Sequence, residues 1–158
     1  MNGQIGHVAF IKKNMLYDET GKLLILGIPN GLTVEKVLQA EGYKGAVDSR
    51  LYQGCQISIN YIMRQLREAE NPQPAGSVGR NPTVYFVAAN PTEKRLMFAQ
   101  TCGRGVIGHL KRIAHHGRAI GLDVRAIERT TKQIEEIKTE QEGTPAVKRL
   151  EAELEAMQ

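Results

Sequence analysis

The stretch "CGRGVIGHLKRIAHHGRAIG", residues 102–121, carries the features that decide between fold classes. It combines glycines at the spacing G-x-G-x-x-G with three histidines and four Lys or Arg residues, and it contains no acidic residue. Four interpretations are open for such a stretch. The alternatives are a nucleotide-binding turn, a metal site, a basic helix that contacts nucleic acid, and a helix with one solvated side.

The G-x-G-x-x-G pattern resembles the phosphate-binding turn of Rossmann-type folds, in which a strand runs into a helix whose N-terminus faces a pyrophosphate. That fold needs a second parallel strand, which here would end near Glu128. The residues before and after Glu128 instead place their apolar side chains at helical spacing, at Val124, Ile127, Thr131 and Ile134. The sequence therefore predicts an α+β fold rather than a parallel α/β fold.

The histidines do not form a metal-binding pattern. On a helix His109 and His116 lie two turns apart, about 10 Å, which is too far for both to bind one ion. No Asp, Glu or Cys lies three or four residues from any of the three histidines. We therefore predict no metal and no cofactor. Cys102, placed before a helix N-terminus, is a candidate nucleophile if a histidine serves as its base.

The same helix predicts an apolar face and an opposite basic face. Its expected buried residues are Val106, Leu110, Ile113, Gly117 and Ile120. The opposite side carries Arg104, Lys111, His115 and Arg118, with Arg112 to one side. Because no acid lies between Gln100 and Leu122, we expect this stripe to remain unneutralised and to suit a phosphate backbone.

The remaining chain predicts antiparallel β-hairpins packed with helices. Strands are expected at 4–11 and 23–28 and at 83–89 and 95–101, and helices at 33–43 and 51–70, with a Pro/Gly-rich connector over 71–82. Thr33 is an expected N-cap. Ile57, Tyr61, Ile62, Leu66 and Ala69 are the expected buried face of the second helix.

Two amphipathic segments end the chain, separated by "EGTP" at 142–145, where Thr144 is an N-cap candidate. We predict a basic α+β domain over 1–121 and an amphipathic helical C-terminal extension over 122–158. The extension is a candidate for homo-oligomer formation.

The helix, helix, hairpin order of residues 32–101 resembles a winged-helix DNA-binding module. That resemblance implies that the second helix enters the major groove and that the hairpin contacts the DNA backbone. The residues it would turn toward DNA are Gln56, Asn60, Arg64 and Arg67, with Lys94 and Arg95 at the hairpin tip.

Charge and composition limit the class of protein. The 158 residues carry a net charge of +4, but 15 Lys and Arg against 8 Asp and Glu before residue 121 give that part +7. A basic body favours an anionic partner. Cys55 and Cys102 form no C-x-x-C pair, which favours a reducing, cytoplasmic compartment. The sequence predicts neither a signal peptide nor a membrane span.

Taken together, these features predict a small non-catalytic accessory or regulatory protein that binds nucleic acid, DNA more than RNA. The expected binding residues are Arg104, Lys111, Arg112, His115 and Arg118, with Arg64 and Arg67 as a second basic site and Lys94 and Arg95 on the hairpin. One alternative is a protein-interaction module, an inhibitor or assembly adaptor, whose basic face meets an acidic partner. Another is a small enzyme that uses the Gly-rich turn or Cys102.

Overall fold

The computed structural model describes residues 6–103, 105–141, 152, 155 and 156. Between residues 6 and 141 the described chain forms six α-helices and one two-stranded antiparallel sheet, which confirms the α+β class. The helices are α1 (Val8–Ile11), α2 (Val34–Ala40), α3 (Ser49–Glu68), α4 (Pro91–Cys102), α5 (Val106–Ala119) and α6 (Arg125–Gln141), and the strands are β1 (Ala75–Val78) and β2 (Val84–Val87).

The chain divides into two compact units, residues 1–94 with 153–158, and residues 95–152. The domain boundary expected after residue 121 falls in the loop between α5 and α6 and stays a prediction. The helix expected from Thr144 onward lies outside the described residues, apart from Ala152, Glu155 and Ala156, which are helical and exposed.

The strand expected at 4–11 is wrong, because the described part of this segment is helical. Helix α1 continues into a π-helical turn over Lys12–Leu16. Val8, Ile11 and Leu16 are buried, and their spacing is that of a helix rather than of alternating strand residues. The side chain of His7, just before α1, contacts Glu41 with 2.6 Å between Nδ1 and Oε1.

The strand expected at 23–28 is also wrong, since this segment makes only isolated bridges. Leu23 bridges Tyr17 and Leu26 bridges Val87. A tight turn precedes it, with Gly21 at φ +83° and a hydrogen bond from the Asp18 N–H to the Lys22 carbonyl. Gly27 then takes φ +87°, which interrupts an extended strand.

Helices α2 and α3 confirm the two helices expected in the first half of the chain. Thr33 caps α2 by accepting the Lys36 N–H at 3.1 Å, and Asp48 caps α3 by accepting the Leu51 N–H at 2.8 Å. The expected inner face of α3 is partly wrong, because Ile57 and Tyr61 are 44% and 39% exposed. The buried stripe instead contains Cys55, Ser58, Ile59, Ile62, Met63 and Leu66.

The sheet begins inside the segment expected to be an irregular connector. Strand β1 pairs with β2 in antiparallel register, with Ala75 opposite Val87 and Val78 opposite Val84. Leu32, just before α2, adds an antiparallel bridge to Tyr85 of β2. The winged-helix resemblance stays a prediction.

One hydrophobic core joins these elements of the first unit. Its fully buried side chains come from α1, α2, α3 and β2 and include Ile11, Val37, Cys55, Ile59, Ile62 and Val87. The core therefore fixes α3 by one side only, and it leaves the opposite side of that helix in solvent.

Residues 95–101 form most of α4 rather than the expected strand, and "NPTEK" is a helix start rather than a hairpin turn. Asn90 accepts the Glu93 N–H at 2.9 Å as an N-cap, and Pro91 is the first helical residue. The Glu93 carboxylate also accepts hydrogen bonds from two backbone N–H groups earlier in the chain, those of Ile28 and Ala89. The Asn-Pro-x-Glu pattern is typical of a helix N-terminus, so the sequence contained a signal that predicts this helix.

Helices α5 and α6 pack against each other as a helical hairpin. Ala114 and Gly117 are the buried residues of α5, whereas Ile113 and Ile120, expected in its buried face, are 40% and 76% exposed. A Cβ atom at Gly117 would lie 3.0 Å from Val124 Cγ1, so the glycine allows the close approach of the two chain segments.

Candidate nucleic-acid interface

The basic stripe of α5 faces acidic residues of α6. Lys111 Nζ lies 2.9 Å from Glu135 Oε1, and Arg118 Nη2 lies 2.7 Å from Glu128 Oε1. The expectation that this stripe stays unneutralised is therefore wrong for Lys111 and Arg118. The cause is that α5 buries Ala114 and Gly117, which turns the basic side toward α6 instead of away from it.

The other candidate residues of α5 are exposed side chains. Arg112 and His115 lie on the surface, and the ring centroids of His115 and His116 are 5.2 Å apart in an edge-to-face arrangement. Arg104 lies outside the described residues. A groove of about 310 Å³ runs between α5 and α6. Its walls mix cations and carboxylates, namely Lys111, His115, Arg118 and Lys132 with Glu128 and Glu135.

Lys94 and Arg95 do not form a hairpin tip, because both belong to α4. Arg95 makes an ion pair with Glu140 at the end of α6. The loop of the actual hairpin, between β1 and β2, carries the exposed Arg80. Sequence reasoning missed Arg80, although "SVGRNP" combines a turn sequence with a single cation.

The outer face of α3 brings together the remaining basic candidates. The Arg64 guanidinium carbon lies 6.0 Å from the centroid of the Tyr61 ring, a cation–π distance. A shallow cleft of about 320 Å³ lies beside them, lined by Ile57, Asn60, Tyr61, Arg64 and Arg67. Arg50 lies on the same side near the start of the helix and is exposed.

Some side chains of α3 that were expected to face DNA instead make hydrogen bonds within the protein. Arg67 Nη1 donates to the carbonyl of Ala75 at 3.1 Å, which attaches the end of α3 to β1. Burial raises the pKa of the Tyr85 phenol, and hydrogen bonds from the side chains of Gln56 and Asn60 act in the opposite direction. Gln56 and Asn60 therefore hold α3 against β2, and Asn60 remains exposed at the same time.

The Gly-rich turn joins two helices, so it lacks the strand that a pyrophosphate-binding turn requires. Gly103 and Gly105 take φ values of +60° and +83°, and Gly105 precedes α5 as its N-cap residue. Cys102 was expected just before a helix N-terminus; it is the last residue of α4 and lies four residues before the start of α5. Cys55 is buried in α3, and burial raises the pKa of its thiol to about 12.

Neither a metal cluster nor a membrane-spanning helix is found in the described chain. Over residues 6–103 and 105–141, and at the three described positions beyond, no three His, Cys, Asp or Glu side chains come together at metal-binding distance. Within those same residues no helix has the length and apolar character needed to cross a bilayer.

Comparison with known proteins found no match for this chain among protein-family models, curated proteins or solved structures.

Proposed function

We propose that this protein binds double-stranded DNA through the outer face of α3 and the loop between β1 and β2, as a non-catalytic accessory or regulatory factor. The observation that carries the proposal is the charge of α3. No acidic residue occurs between Asp48 and Glu68, and Arg50 and Arg64 are exposed on its outer side. Within the described chain no carboxylate pairs with either arginine.

The contrast with α5 supports this choice of helix. Neither residues 49–67 of α3 nor α5 contain an acid, but two cations of α5 are already paired with glutamates of α6. A phosphate must compete with those glutamates for Lys111 and Arg118. At Arg50 and Arg64 it displaces only water and counterions, so the free energy of counterion release is available there.

The neighbouring elements leave α3 accessible. Its 20 residues span about 30 Å, and the core covers one side of it only. The major groove of B-DNA is wide enough for an α-helix. The hairpin loop with Arg80 follows α3 in the chain and supplies a further cation for a phosphate. This arrangement agrees with the implied winged-helix order, now with β1 and β2 as the hairpin.

The test measures binding of the full chain to a fluorescent duplex DNA of random sequence by anisotropy over a range of salt concentrations. The double variant Arg50→Ala/Arg64→Ala should bind more weakly, and the slope of log K against log salt should decrease by about 1.8 if both arginines contact phosphates. The matched control, Lys111→Ala/Arg118→Ala, removes the same charge from α5 and should change binding much less.

Circular dichroism of each variant shows that loss of binding is not loss of folding. A larger effect of the α5 variant would place the interface on α5 instead. Absence of duplex binding by the wild-type chain at low salt would refute the proposed function.

A second candidate function is binding of an acidic protein surface through α5. The observation that favours it is the exposure of three large apolar side chains on and just after α5, namely Ile113, Ile120 and Leu122, in a segment that also carries the exposed Arg112. A synthetic amphipathic helix of Leu and Glu is a suitable probe. Its affinity should fall on Ile120→Ser, and no measurable affinity for the wild-type chain would exclude this function.

We also propose a cytoplasmic location, which the two free cysteines, Cys55 and Cys102, support because a reducing compartment keeps thiols free.

A further inference from the structure

On the outward side of α3 an apolar side chain lies between two arginines. Arg50, Ile57 and Arg64 are seven residues apart, so they lie on one line along the helix with about 10 Å between neighbours. Ile57 is 44% exposed, and Tyr61, one turn further on, is 39% exposed. The core cluster of the first unit includes neither of them.

This pattern differs from a purely electrostatic surface. A helix that only contacts phosphates gains nothing from an isoleucine at the centre of its exposed face, whereas burial of that side chain against an apolar group of the ligand is favourable. The two arginines at either end have the reach to contact phosphates on the opposite walls of a groove. The residue between them would then face the floor of the groove, where the base edges are.

We infer that Ile57 contacts the 5-methyl group of thymine, so that the ligand is thymine-containing double-stranded DNA. The inference rests on the proposed function and specifies its substrate. The thymine methyl is the apolar group that a base pair presents in the major groove, and apolar side chains are its usual contacts. Duplex RNA lacks this methyl group and has a major groove too deep and narrow for side chains to read.

Asn60 and Arg64 extend the same contact surface. Asn60 is one turn from Gln56 and remains exposed while its side chain contacts Tyr85, and it lines the cleft beside Ile57. The Tyr61 ring beneath the Arg64 guanidinium limits the conformations of that arginine. An arginine held in this way positions the helix on the phosphate backbone, while the apolar contact beside it reads the base.

The test begins with selection of tight-binding duplexes from a randomised DNA pool by the full wild-type chain. The selected duplex is then synthesised with deoxyuridine in place of thymine, which removes only the methyl groups. Affinity should fall about fourfold for each thymine methyl in contact. The variant Ile57→Ala should bind the two duplexes equally, while Leu24→Ala, which shortens an equally exposed apolar side chain outside α3, should keep the preference for thymine.

The outcomes separate this inference from the proposed function. Equal binding of the thymine and uracil duplexes by the wild-type chain overturns the thymine contact and leaves DNA binding in place. A preference for thymine that survives Ile57→Ala, in a variant whose circular dichroism is unchanged, also overturns it. If the wild-type chain binds no duplex at all, both the proposed function and this inference fail.

Discussion

The carboxylate of Glu93 accepts a hydrogen bond from the backbone N–H of Ile28 at 2.9 Å, across 65 residues of chain. Its second oxygen accepts the Ala89 N–H at 2.8 Å. Glu93 is buried, and it lies near Gly27, where a Cβ atom would approach the carboxylate at 3.8 Å. One side chain therefore holds both the first residue of the 3-10 turn Ile28–Asn30 and the segment after β2.

Replacement of Glu93 by Ala should destabilise the protein strongly. The buried Ile28 N–H would lose its acceptor, which costs about 1–3 kcal/mol, and the part-buried Ala89 N–H would lose its acceptor at a smaller cost. Chemical denaturation of Glu93→Ala and Glu93→Gln measures the effect. The Gln variant keeps one acceptor oxygen, so it should lose less stability than the Ala variant. Glu19→Gln, at an exposed turn, is the control and should leave the free energy of unfolding unchanged.

Gly31 should not tolerate a methyl group. A Cβ atom there would overlap Val84 Cγ1 and lie 3.0 Å from the carbonyl oxygen of Tyr85, which accepts the Leu32 N–H. Gly31→Ala should therefore destabilise the protein by about 1–3 kcal/mol, as overpacking of a core does. Thermal unfolding followed by circular dichroism measures the change.

Gly108 offers the matched comparison, because a Cβ atom there would meet only Arg112 Nη1 at 3.6 Å. Gly108→Ala lies inside α5, where alanine is favoured over glycine by up to about 1 kcal/mol. It should keep or raise the unfolding temperature. Equal destabilisation by both variants would contradict the steric explanation for Gly31.

Removal of the α6 carboxylates should free two cations of α5 from their ion pairs and make them available to phosphates. In Glu128→Gln/Glu135→Gln, Lys111 and Arg118 lose their acidic partners and become available to phosphates. We expect tighter binding to random duplex DNA and a steeper salt dependence, with a stability cost below about 1 kcal/mol for each exposed pair. Glu19→Gln/Glu35→Gln makes the same change in net charge at exposed residues of the first unit and should increase affinity less.

The stability of the protein should fall at alkaline pH partly because of Cys55. Burial raises the pKa of this thiol from 9.0 to about 12, so between those values the unfolded chain has released a proton that the folded chain keeps. The contribution is complete below pH 9.0 and is lost as the pH rises toward 12. Urea unfolding at several pH values should show a smaller alkaline loss for Cys55→Ala than for Cys102→Ala.

The sequence was informative where local signals and tertiary packing agree. Thr33 is the N-cap that it was expected to be, and the long helix α3 and strand β2 lie close to their expected positions. These elements have strong caps or strong apolar patterns of a single period, which local physics is sufficient to interpret.

The two main errors have different physical causes. The segment around Met97 was expected to be a strand, although most of residues 95–101 are good helix formers and Asn90 and Glu93 fix a helix start in front of it. For α5, the sequence shows which residues are cationic but not which side α6 will cover. Lys111 and Arg118 of its basic stripe are paired with glutamates of another helix, and residues 102–121 carry no signal for those pairs.

The hydrogen bonds from Gln56 and Asn60 to the Tyr85 phenol, together with the buried stripe of α3, fix the rotation of that helix about its own axis. Their side chains are one helical turn apart, so a shift of one residue, which is a rotation of 100°, would break both contacts. That same rotation would carry Arg50, Ile57 and Arg64 toward a flank of the helix. The Tyr85 phenol on β2 and the buried stripe of α3 thus set together the angular orientation in which Arg50, Ile57 and Arg64 meet a ligand.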